Sequence, residues 1–285
     1  MKFAYLILVH NSFNLLKALI KQLDDEDNGI FIHLDKKIGD IDLSQFSNFI
    51  CHSNVYFIQN RIDVEWGRVS LVEATLNLLE DAVSGGYDYY HLLSGVDFPI
   101  KSNTYINDFF EKNRGKEFVG IANFSEETIK YRVSRYHLIN GNMVRKCRFW
   151  SYVNYILIIF QKILHIYNIR DISKIKGGPE WFSITDKLAR KLVECKKYII
   201  KKYKYTSCPD ELFLQTYVWN SEFVTCLNKH EDENLACLRK IDWQKGNPYT
   251  WNENDFEELM SAQHLFARKF CEKDMKLILQ IMEHL

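Results

Sequence analysis

The chain has 285 residues, which is long enough to bury one large α/β core or two small ones. It has 37 basic and 37 acidic residues, so its formal net charge is zero. This balance excludes the global positive field with which proteins wrap nucleic acid, and any anion-binding site must be local. We therefore expect no nucleic-acid partner.

Strands and helices alternate over the first third of the chain. A continuous apolar run at 3–9 predicts a buried first strand, and a helical period follows over 13–23. Further strands are predicted at 30–34, 54–59 and 87–93, with a long helix over 67–83. This alternation predicts an α/β fold with a mostly parallel central sheet flanked by helices.

Beyond about residue 105 the strand–helix alternation fades. Helices are predicted at 186–204, 210–219, 255–262 and 272–284, with a short separate segment at 235–243. No interdomain linker is evident. We therefore predict a single domain over 1–285, with a nucleotide-binding half at 1–105 and an acceptor-binding and catalytic half at 106–285.

Residues 149–169 form a dense apolar and aromatic stretch whose length nearly spans a bilayer, although polar residues such as Asn154 and Gln161 interrupt it. Two interpretations stay open. One is a buried or lid helix, and the other is an amphipathic segment that makes a peripheral membrane contact beside a lipid-linked acceptor.

The cysteines and the N-terminus bear on the cellular compartment. The seven cysteines are odd in number and scattered, and no CxxC pair occurs, which argues against a disulfide framework and a structural zinc site. The N-terminal apolar run is too short for a secretory h-region and meets polar residues at once. We therefore expect a cytoplasmic location.

Polar side chains follow the predicted strands at the edge where an open parallel sheet binds ligands. The first strand ends at His10, the second places His33 and Asp35 on one face, and Asp97 follows the fourth. A carboxylate such as Asp35 at this edge suits a ribose or a base edge. Each of these groups could instead cap a helix or lie in a turn.

The usual nucleotide and metal signatures are missing or weak. No GxGxxG and no GxxxxGK[ST] occurs, which argues against a dinucleotide-binding enzyme and a phosphate loop. Asp40-Ile41-Asp42 has the form of a metal-binding DxD triplet, but its place soon after the second strand favours loop carboxylates that lead into a helix cap. Pro209-Asp210-Glu211 is locally as typical of a helix start as of a catalytic carboxylate.

Eight segments, in the same order along nearly the whole chain, resemble the core-2/I-branching family, which contains β-1,6-N-acetylglucosaminyltransferases and peptide O-xylosyltransferases. They are AYLILVH at 4–10, IHLD at 32–35, WGRVSLV at 66–72, YYHLLSGVDFPIK at 89–101, GPEWF at 178–182, PDE at 209–211, LRKIDW at 238–243 and LFARKF at 265–270. The resemblance implies a variant GT-A fold, a UDP-sugar donor, and an inverting reaction that needs no metal and no other cofactor.

The same resemblance implies roles for three residues. Glu211 would be the catalytic base, because an inverting displacement needs one carboxylate to take the proton of the attacking hydroxyl. Arg239 and Lys269 would bind the donor diphosphate, since fixed cations must replace the divalent ion that usually stabilises the departing charge.

Six further residues complete the predicted site. Those expected to face the nucleotide are His10, His33 and Asp35, and those expected to contact the sugar or the acceptor are Asp97, Glu180 and Trp181, the last by stacking. Asp97 could instead orient a turn, and Trp181 could lie in a buried turn.

The function is predicted as transfer of a sugar, N-acetylglucosamine first, from a UDP-sugar to a hydroxyl of a carbohydrate or lipid-linked glycan, in surface polysaccharide synthesis. Two alternatives remain. One is transfer of xylose, because GPEWF and FARKF look somewhat closer to the xylosyltransferase branch. The other is a carbohydrate- or nucleotide-binding module without catalysis. The stem and the cysteine pattern of the animal relatives are not seen here, which leaves the acceptor open.

Overall fold

The computed structural model describes residues 1–46, 51–139 and 141–285. Its strands are β1 (Phe3–Val9), β2 (Asn28–Leu34), β3 (Asn54–Phe57), β4 (Tyr89–Ser94), β5 (Asp97–Pro99), β6 (Phe118–Val119), β7 (Phe182–Thr185), β8 (Arg239–Ile241) and β9 (Phe266–Arg268). Its α-helices are α1 (Phe13–Gln22), α2 (Val69–Ala82), α3 (Asn103–Lys112), α4 (Glu126–Val133), α5 (Asn142–Lys146), α6 (Arg148–Ile163), α7 (Asp186–Glu194), α8 (Lys196–Tyr203), α9 (Phe213–Trp219), α10 (Glu233–Ala236), α11 (Phe256–Ser261) and α12 (Met275–His284).

A six-stranded sheet with the order β3-β2-β1-β4-β7-β6 lies at the centre of the fold. Strands β1 to β4 pair in parallel, whereas β7 runs antiparallel to β4 and to β6. Because side chains alternate along a strand, β1 supplies both faces: Leu6 packs into one hydrophobic cluster and Ile7 into the other. The predicted α/β architecture with a mostly parallel, helix-flanked sheet is confirmed.

A second, three-stranded sheet has the order β5-β9-β8. Strand β5 starts three residues after β4 ends and pairs antiparallel with β9, so that Asp97 lies opposite Arg268. This sheet therefore brings a C-terminal segment of the chain to the carboxyl end of the central parallel strands.

The strands and helices of the first third agree closely with the sequence prediction. The predicted strand at 3–9 is β1, and the predicted helices at 13–23 and 67–83 are α1 and α2 with slightly shorter ends. The predicted helix at 186–204 is instead two helices, α7 and α8, which meet at Cys195. Strands β5, β6, β7 and β9 were not predicted, because three of the four have only two or three residues and too few positions for a period.

Helix α6 accounts for most of the apolar stretch at 149–169. Most of its large apolar side chains are exposed and Ile158 is buried, so of the interpretations left open for 149–169 a fully buried helix does not fit, whereas a lid and a membrane contact remain. Within the described ranges, no helix combines the length and the apolarity that a bilayer crossing needs.

Candidate active site

The candidate site lies at the carboxyl end of the parallel strands, where open α/β sheets bind their ligands. The exposed His10 follows β1 directly, and Ser94 ends the neighbouring strand β4. Partial burial of the imidazole still lowers the pKa of His10, nearby Asp35 opposes that effect, and the positive charge of Arg268 adds to it. His10 is therefore at the predicted edge and close to the residues that come from the second sheet.

Arg268 is the cation that the second sheet brings to this edge. Its Nη1 donates to Oδ1 of the fully buried Asp97 at 2.7 Å and also to Oγ of Ser94. Burial lowers the pKa of Arg268, but Asp97 and Glu180 outweigh that effect and the net pKa is raised. The guanidinium is thus held charged and in a fixed position.

Both carboxylate oxygens of Asp97 already accept hydrogen bonds from other residues of the protein. Besides the bond from Arg268, its Oδ2 accepts from the Ser94 amide at 2.7 Å and its Oδ1 from the Ser94 hydroxyl at 2.9 Å. Of the two roles predicted for Asp97, the structure therefore supports the orientation of a turn and does not support direct contact with the sugar. We describe Asp97 as a positioning residue for Arg268.

Trp181 lies below Arg268 and is only 4% exposed. The Arg268 guanidinium carbon is 4.6 Å from the centroid of the Trp181 ring, so that one ring face is already covered by a cation. The prediction that Trp181 stacks on a sugar is corrected by this burial. The indole supports the guanidinium instead.

Three carboxylates lie near one another, those of Glu180, Asp210 and Glu211, and Glu180 is also close to Arg268. Burial raises the pKa of Glu180, and the carboxylate of Asp210 raises it further. Burial likewise raises the pKa of Asp210, with Glu211 adding to the effect. Asp210 Oδ1 is buried and has no hydrogen-bond partner among the described residues. Because like charges in one site disfavour ionisation, the arrangement favours protons on Glu180 and Asp210.

Glu211 ends a short 3₁₀ turn, Pro209–Glu211, that is fixed from both sides. The amide of Cys208 donates to the carbonyl of Gly67 at 3.0 Å, and the amide of Gly178 donates to the carbonyl of Glu211 at 3.0 Å. Two of the segments that carry the family resemblance thus meet at this turn. The Pro-Asp-Glu segment forms a helix-like start, as its local sequence suggested, and also presents its last carboxylate to the site.

The carboxylate of Glu211 is held by one oxygen. Its Oε2 accepts a hydrogen bond from Arg132 Nη1 at 2.5 Å, and the guanidinium of Arg132 packs over the ring of Phe124. Oε1 accepts no hydrogen bond from any residue that the structure describes, and the side chain is 35% exposed. Glu211 therefore has one anchored oxygen and one that a substrate hydroxyl can reach.

His33 and Asp35 have structural roles here. His33 is buried, and its Nε2 accepts from the amide of Ile62 at 2.8 Å. Burial lowers the pKa of His33 to about 4, although Asp35 opposes the shift. Asp35 caps a short helix by accepting from the amide of Lys37 and also pairs with Lys37 Nζ at 3.0 Å. The prediction that His33 faces the nucleotide is therefore wrong, and Asp35 has the capping role that the sequence left open.

Arg239 is also committed to the fold, contrary to its predicted role. It is 1% exposed, and its guanidinium donates to three backbone carbonyls, those of Leu92, Phe182 and Cys237, at 2.8–3.0 Å. The ring of Phe266 covers it at 4.4 Å, and burial lowers its pKa to about 10. The assignment of Arg239 to the diphosphate is corrected, because a ligand cannot reach this guanidinium without displacing the sheet.

Lys269 is half-buried and follows Arg268 directly. Its backbone pairs with that of Tyr249 and Trp251, and its ammonium group forms no ion pair or hydrogen bond with the described residues. It is therefore available to an anionic ligand.

The Asp40-Ile41-Asp42 triplet leads into a helix cap, as predicted: Asp42 Oδ1 accepts hydrogen bonds from the amide and the hydroxyl of Ser44.

The sequence analysis overlooked Arg132, Asp210 and Arg268. Arg268 lies inside the LFARKF segment and Asp210 inside Pro-Asp-Glu, so the resemblance included both without assigning them a role. Arg132 lies outside all eight segments. Across the described part of the chain, no group of three or more His, Cys, Asp or Glu side chains is arranged to hold a metal ion.

The family model described as Core-2/I-Branching enzyme matches residues 3–266. The chain belongs to the core-2/I-branching enzyme family. The matched range contains seven of the eight segments that suggested this family, including the turn that carries Glu211, whereas LFARKF at 265–270 extends past its end.

Relatives within the core-2/I-branching enzyme family have two kinds of name. Xylosyltransferase 2 of Homo sapiens is 25% identical, and the alignment covers 99% of this chain and 33% of that protein. Beta-1,3-galactosyl-O-glycosyl-glycoprotein beta-1,6-N-acetylglucosaminyltransferase of Homo sapiens is 24% identical, with 99% and 69% covered. The chain thus spans about a third of the length of the xylosyltransferases that it matches.

Among solved structures, the apo form of mouse Xyloside xylosyltransferase 1 is similar over 93% of this chain and 96% of that one. The identity is 10% and the TM-score is 0.37. A score this low carries no argument about the site.

Proposed function

We propose that this chain is an inverting glycosyltransferase of variant GT-A fold that needs no metal ion and moves a sugar from a UDP-sugar to a glycan hydroxyl. The observation that carries the proposal is the position of Glu211. One carboxylate oxygen is anchored by Arg132, the other is open, and the neighbouring Glu180 is close to the charged Arg268 as well as to Glu211. A base beside a fixed cation is what a metal-free displacement requires.

In this reaction the open Oε1 of Glu211 takes the proton of the acceptor hydroxyl. The acceptor oxygen attacks the anomeric carbon from the face opposite the diphosphate, and the bond from that carbon to the diphosphate oxygen breaks. The bonding electron pair leaves with UDP, and the configuration inverts. Arg132 is a positioning residue, because it holds the other oxygen and leaves Oε1 directed at the substrate.

The departing diphosphate develops negative charge that must be stabilised as it forms. We assign this task to Arg268 and Lys269 in place of the pair Arg239 and Lys269. Arg268 is fixed by Asp97 and Trp181 before the substrate binds, so that no reorganisation is needed during the reaction. Removal of a preorganised donor of this kind raises the barrier by roughly 3–4 kcal/mol.

Glu180 contributes to the sugar or acceptor side of the site. Its raised pKa keeps a proton on a carboxyl group near neutral pH, which turns it from an acceptor into a hydrogen-bond donor. A donor of this kind can bind a sugar hydroxyl without adding a second negative charge beside Glu211.

For the donor sugar we propose N-acetylglucosamine, because the relative named for N-acetylglucosamine transfer is the one whose length this chain covers to 69%. Xylose is the second candidate, since several relatives of similar identity are named xylosyltransferases. We propose that the acceptor is a surface polysaccharide during its synthesis. We propose that the protein is located in the cytoplasm.

The proposal is tested by incubating the purified chain with UDP-N-acetylglucosamine, and in parallel with UDP-xylose, in the presence of EDTA. UDP release is followed, and the product is examined by NMR for its anomeric configuration. We expect release with N-acetylglucosamine and a product of inverted configuration. A retained configuration contradicts the mechanism. Tight binding of UDP without turnover of either sugar favours a binding module instead.

A further inference from the structure

Helix α6 has its apolar and polar faces reversed relative to an ordinary surface helix. Phe149, Tyr152, Ile156, Phe160 and Ile163 recur at helical spacing along one side, and each is between 53% and 67% exposed. On the opposite side, the buried residues are Asn154, Ile158 and Gln161, of which two are polar. A surface helix normally places its apolar stripe against the core, so this face is built to contact something else.

The exposed apolar surface is concentrated around this helix. Of the nineteen large hydrophobic side chains that are exposed in the described residues, eleven lie between Tyr131 and Ile166. We call the six that lie on α6 the apolar face: Phe149, Tyr152, Tyr155, Ile156, Phe160 and Ile163. Scattered exposed apolar residues are normal in soluble proteins, but a concentration of this kind marks an interaction site.

The apolar face is attached firmly to the body of the protein. The side chain of Gln161 exchanges two hydrogen bonds with the backbone of Tyr136, at 2.7 and 2.9 Å. Arg135 donates to the carbonyls of Gln161 and Ile166 at the end of the helix. The same short stretch of chain carries Arg132, which holds Glu211. The outward orientation is thus fixed by specific contacts, and it is linked to the candidate active site.

The charge of this segment is strongly one-sided. From Thr128 to Arg170 the sequence contains eight Lys and Arg residues and no Asp or Glu, although the whole chain has a net charge of zero. Within α6, the charged residues Arg148 and Lys162 are both basic and exposed. An apolar face with aromatic residues and a basic surround has the chemistry of an anionic bilayer surface on the other side.

We propose that the apolar face docks this protein on the surface of a membrane that contains anionic phospholipids. The aromatic and aliphatic side chains of α6 enter the boundary between headgroups and acyl chains, and Arg148 and Lys162 contact the lipid phosphates. The helix lies in the plane of the surface. A second copy of this chain fits less well, because a symmetric contact would bring two positive segments together without an acidic partner.

The proposal is tested by flotation of the full-length chain with vesicles, in the absence of donor and acceptor. Vesicles of phosphatidylcholine with an equal part of phosphatidylglycerol are compared with vesicles of phosphatidylcholine alone. We expect binding to the anionic vesicles that weakens with added salt, since headgroup attraction is screened. The triple variant Ile156→Ser/Phe160→Ser/Ile163→Ser is expected to bind at least about tenfold more weakly, and Arg148→Gln/Lys162→Gln about tenfold more weakly.

The matched control is Tyr105→Ser/Tyr198→Ser/Leu279→Ser, which removes three exposed hydrophobic side chains outside the apolar face and should bind like the wild type. Equal flotation with both kinds of vesicle, or equal loss in the control, overturns the proposal. A dimer in sedimentation velocity that the Ile156 triple variant dissociates also overturns it, in favour of a second copy. Glu211→Gln should bind vesicles normally, so that failure of docking and failure of the catalytic proposal are distinguishable.

Discussion

The ion pair between Asp97 and Arg268 gives a direct test of how the site is built. In Asp97→Asn the side chain keeps its shape but replaces one acceptor oxygen with an NH₂ group. Asp97 accepts from the Ser94 amide on one oxygen and from Arg268 on the other, so the new NH₂ group must face one of these two donors. Removal of one partner of a buried ion pair costs about 3–5 kcal/mol. Because the Arg268 side chain is partly exposed, we expect Asp97→Asn to lose about 3 kcal/mol of folding stability, the lower end of this range.

The Asp97→Asn variant is measured by thermal unfolding and by UDP titration in a calorimeter. For a chain of this size, a loss of about 3 kcal/mol lowers the midpoint by roughly 6 °C. UDP should bind more weakly, because Arg268 loses its support. Unchanged UDP affinity in the folded variant would contradict the role of Asp97 as a positioning residue for Arg268.

The matched control is Glu222→Gln, which breaks a pair with Lys187 in which both side chains are 64% exposed. Exposed pairs contribute less than about 1 kcal/mol, so this variant should unfold close to the wild type. The reasoning is refuted if Asp97→Asn is no less stable than Glu222→Gln.

The contacts of Arg239, Arg132 and His33 give three further predictions. Arg239→Met should lose about 3 kcal/mol of stability in urea unfolding, because three buried carbonyls lose their hydrogen-bond donor. The UDP affinity of the folded variant should stay near that of the wild type. Weaker UDP binding at unchanged stability would instead assign Arg239 to the phosphate site. Arg132→Ala should lower kcat more than the donor KM, because Glu211 loses the contact that holds one of its oxygens; an unchanged kcat of the folded variant would contradict the positioning role. Burial lowers the folded-state pKa of His33 to about 4, so neutral His33 stabilises the fold above its unfolded pKa of about 6.5, and this stabilisation is lost as the pH falls toward 4. Between these pH values, the free energy of unfolding of His33→Gln should therefore depend less steeply on pH than that of the wild type, by up to about 3 kcal/mol in total. Equal pH slopes would contradict the assignment.

The parts of the fold that depend on local pattern could be predicted from the sequence. Strand β1 is a continuous apolar run, and helices α1 and α2 have a clear period, so their bounds agree within two residues. The second sheet could not be predicted, because β5 and β9 have three residues each and the contact between Asp97 and Arg268 spans 171 positions.

The same limitation explains the exchange of Arg239 for Arg268 in the site. Both residues lie in segments that resemble the family, and both are in short strands. Only the pairing of β8, β9 and β5 decides which guanidinium is covered by Phe266 and which one lies on Trp181 at the sheet edge. Glu211 needed no such pairing to be predicted, because the Pro-Asp-Glu segment itself carries the resemblance.

The most direct test of the central claim is transfer by Glu211→Gln compared with wild type, with EDTA in every reaction. Wild-type activity should be unchanged by EDTA. The variant should lose about 10²–10⁴-fold in kcat while binding UDP as the wild type does, since the amide keeps the shape but cannot take a proton. A requirement for Mn²⁺, or substantial transfer by Glu211→Gln, would contradict the account.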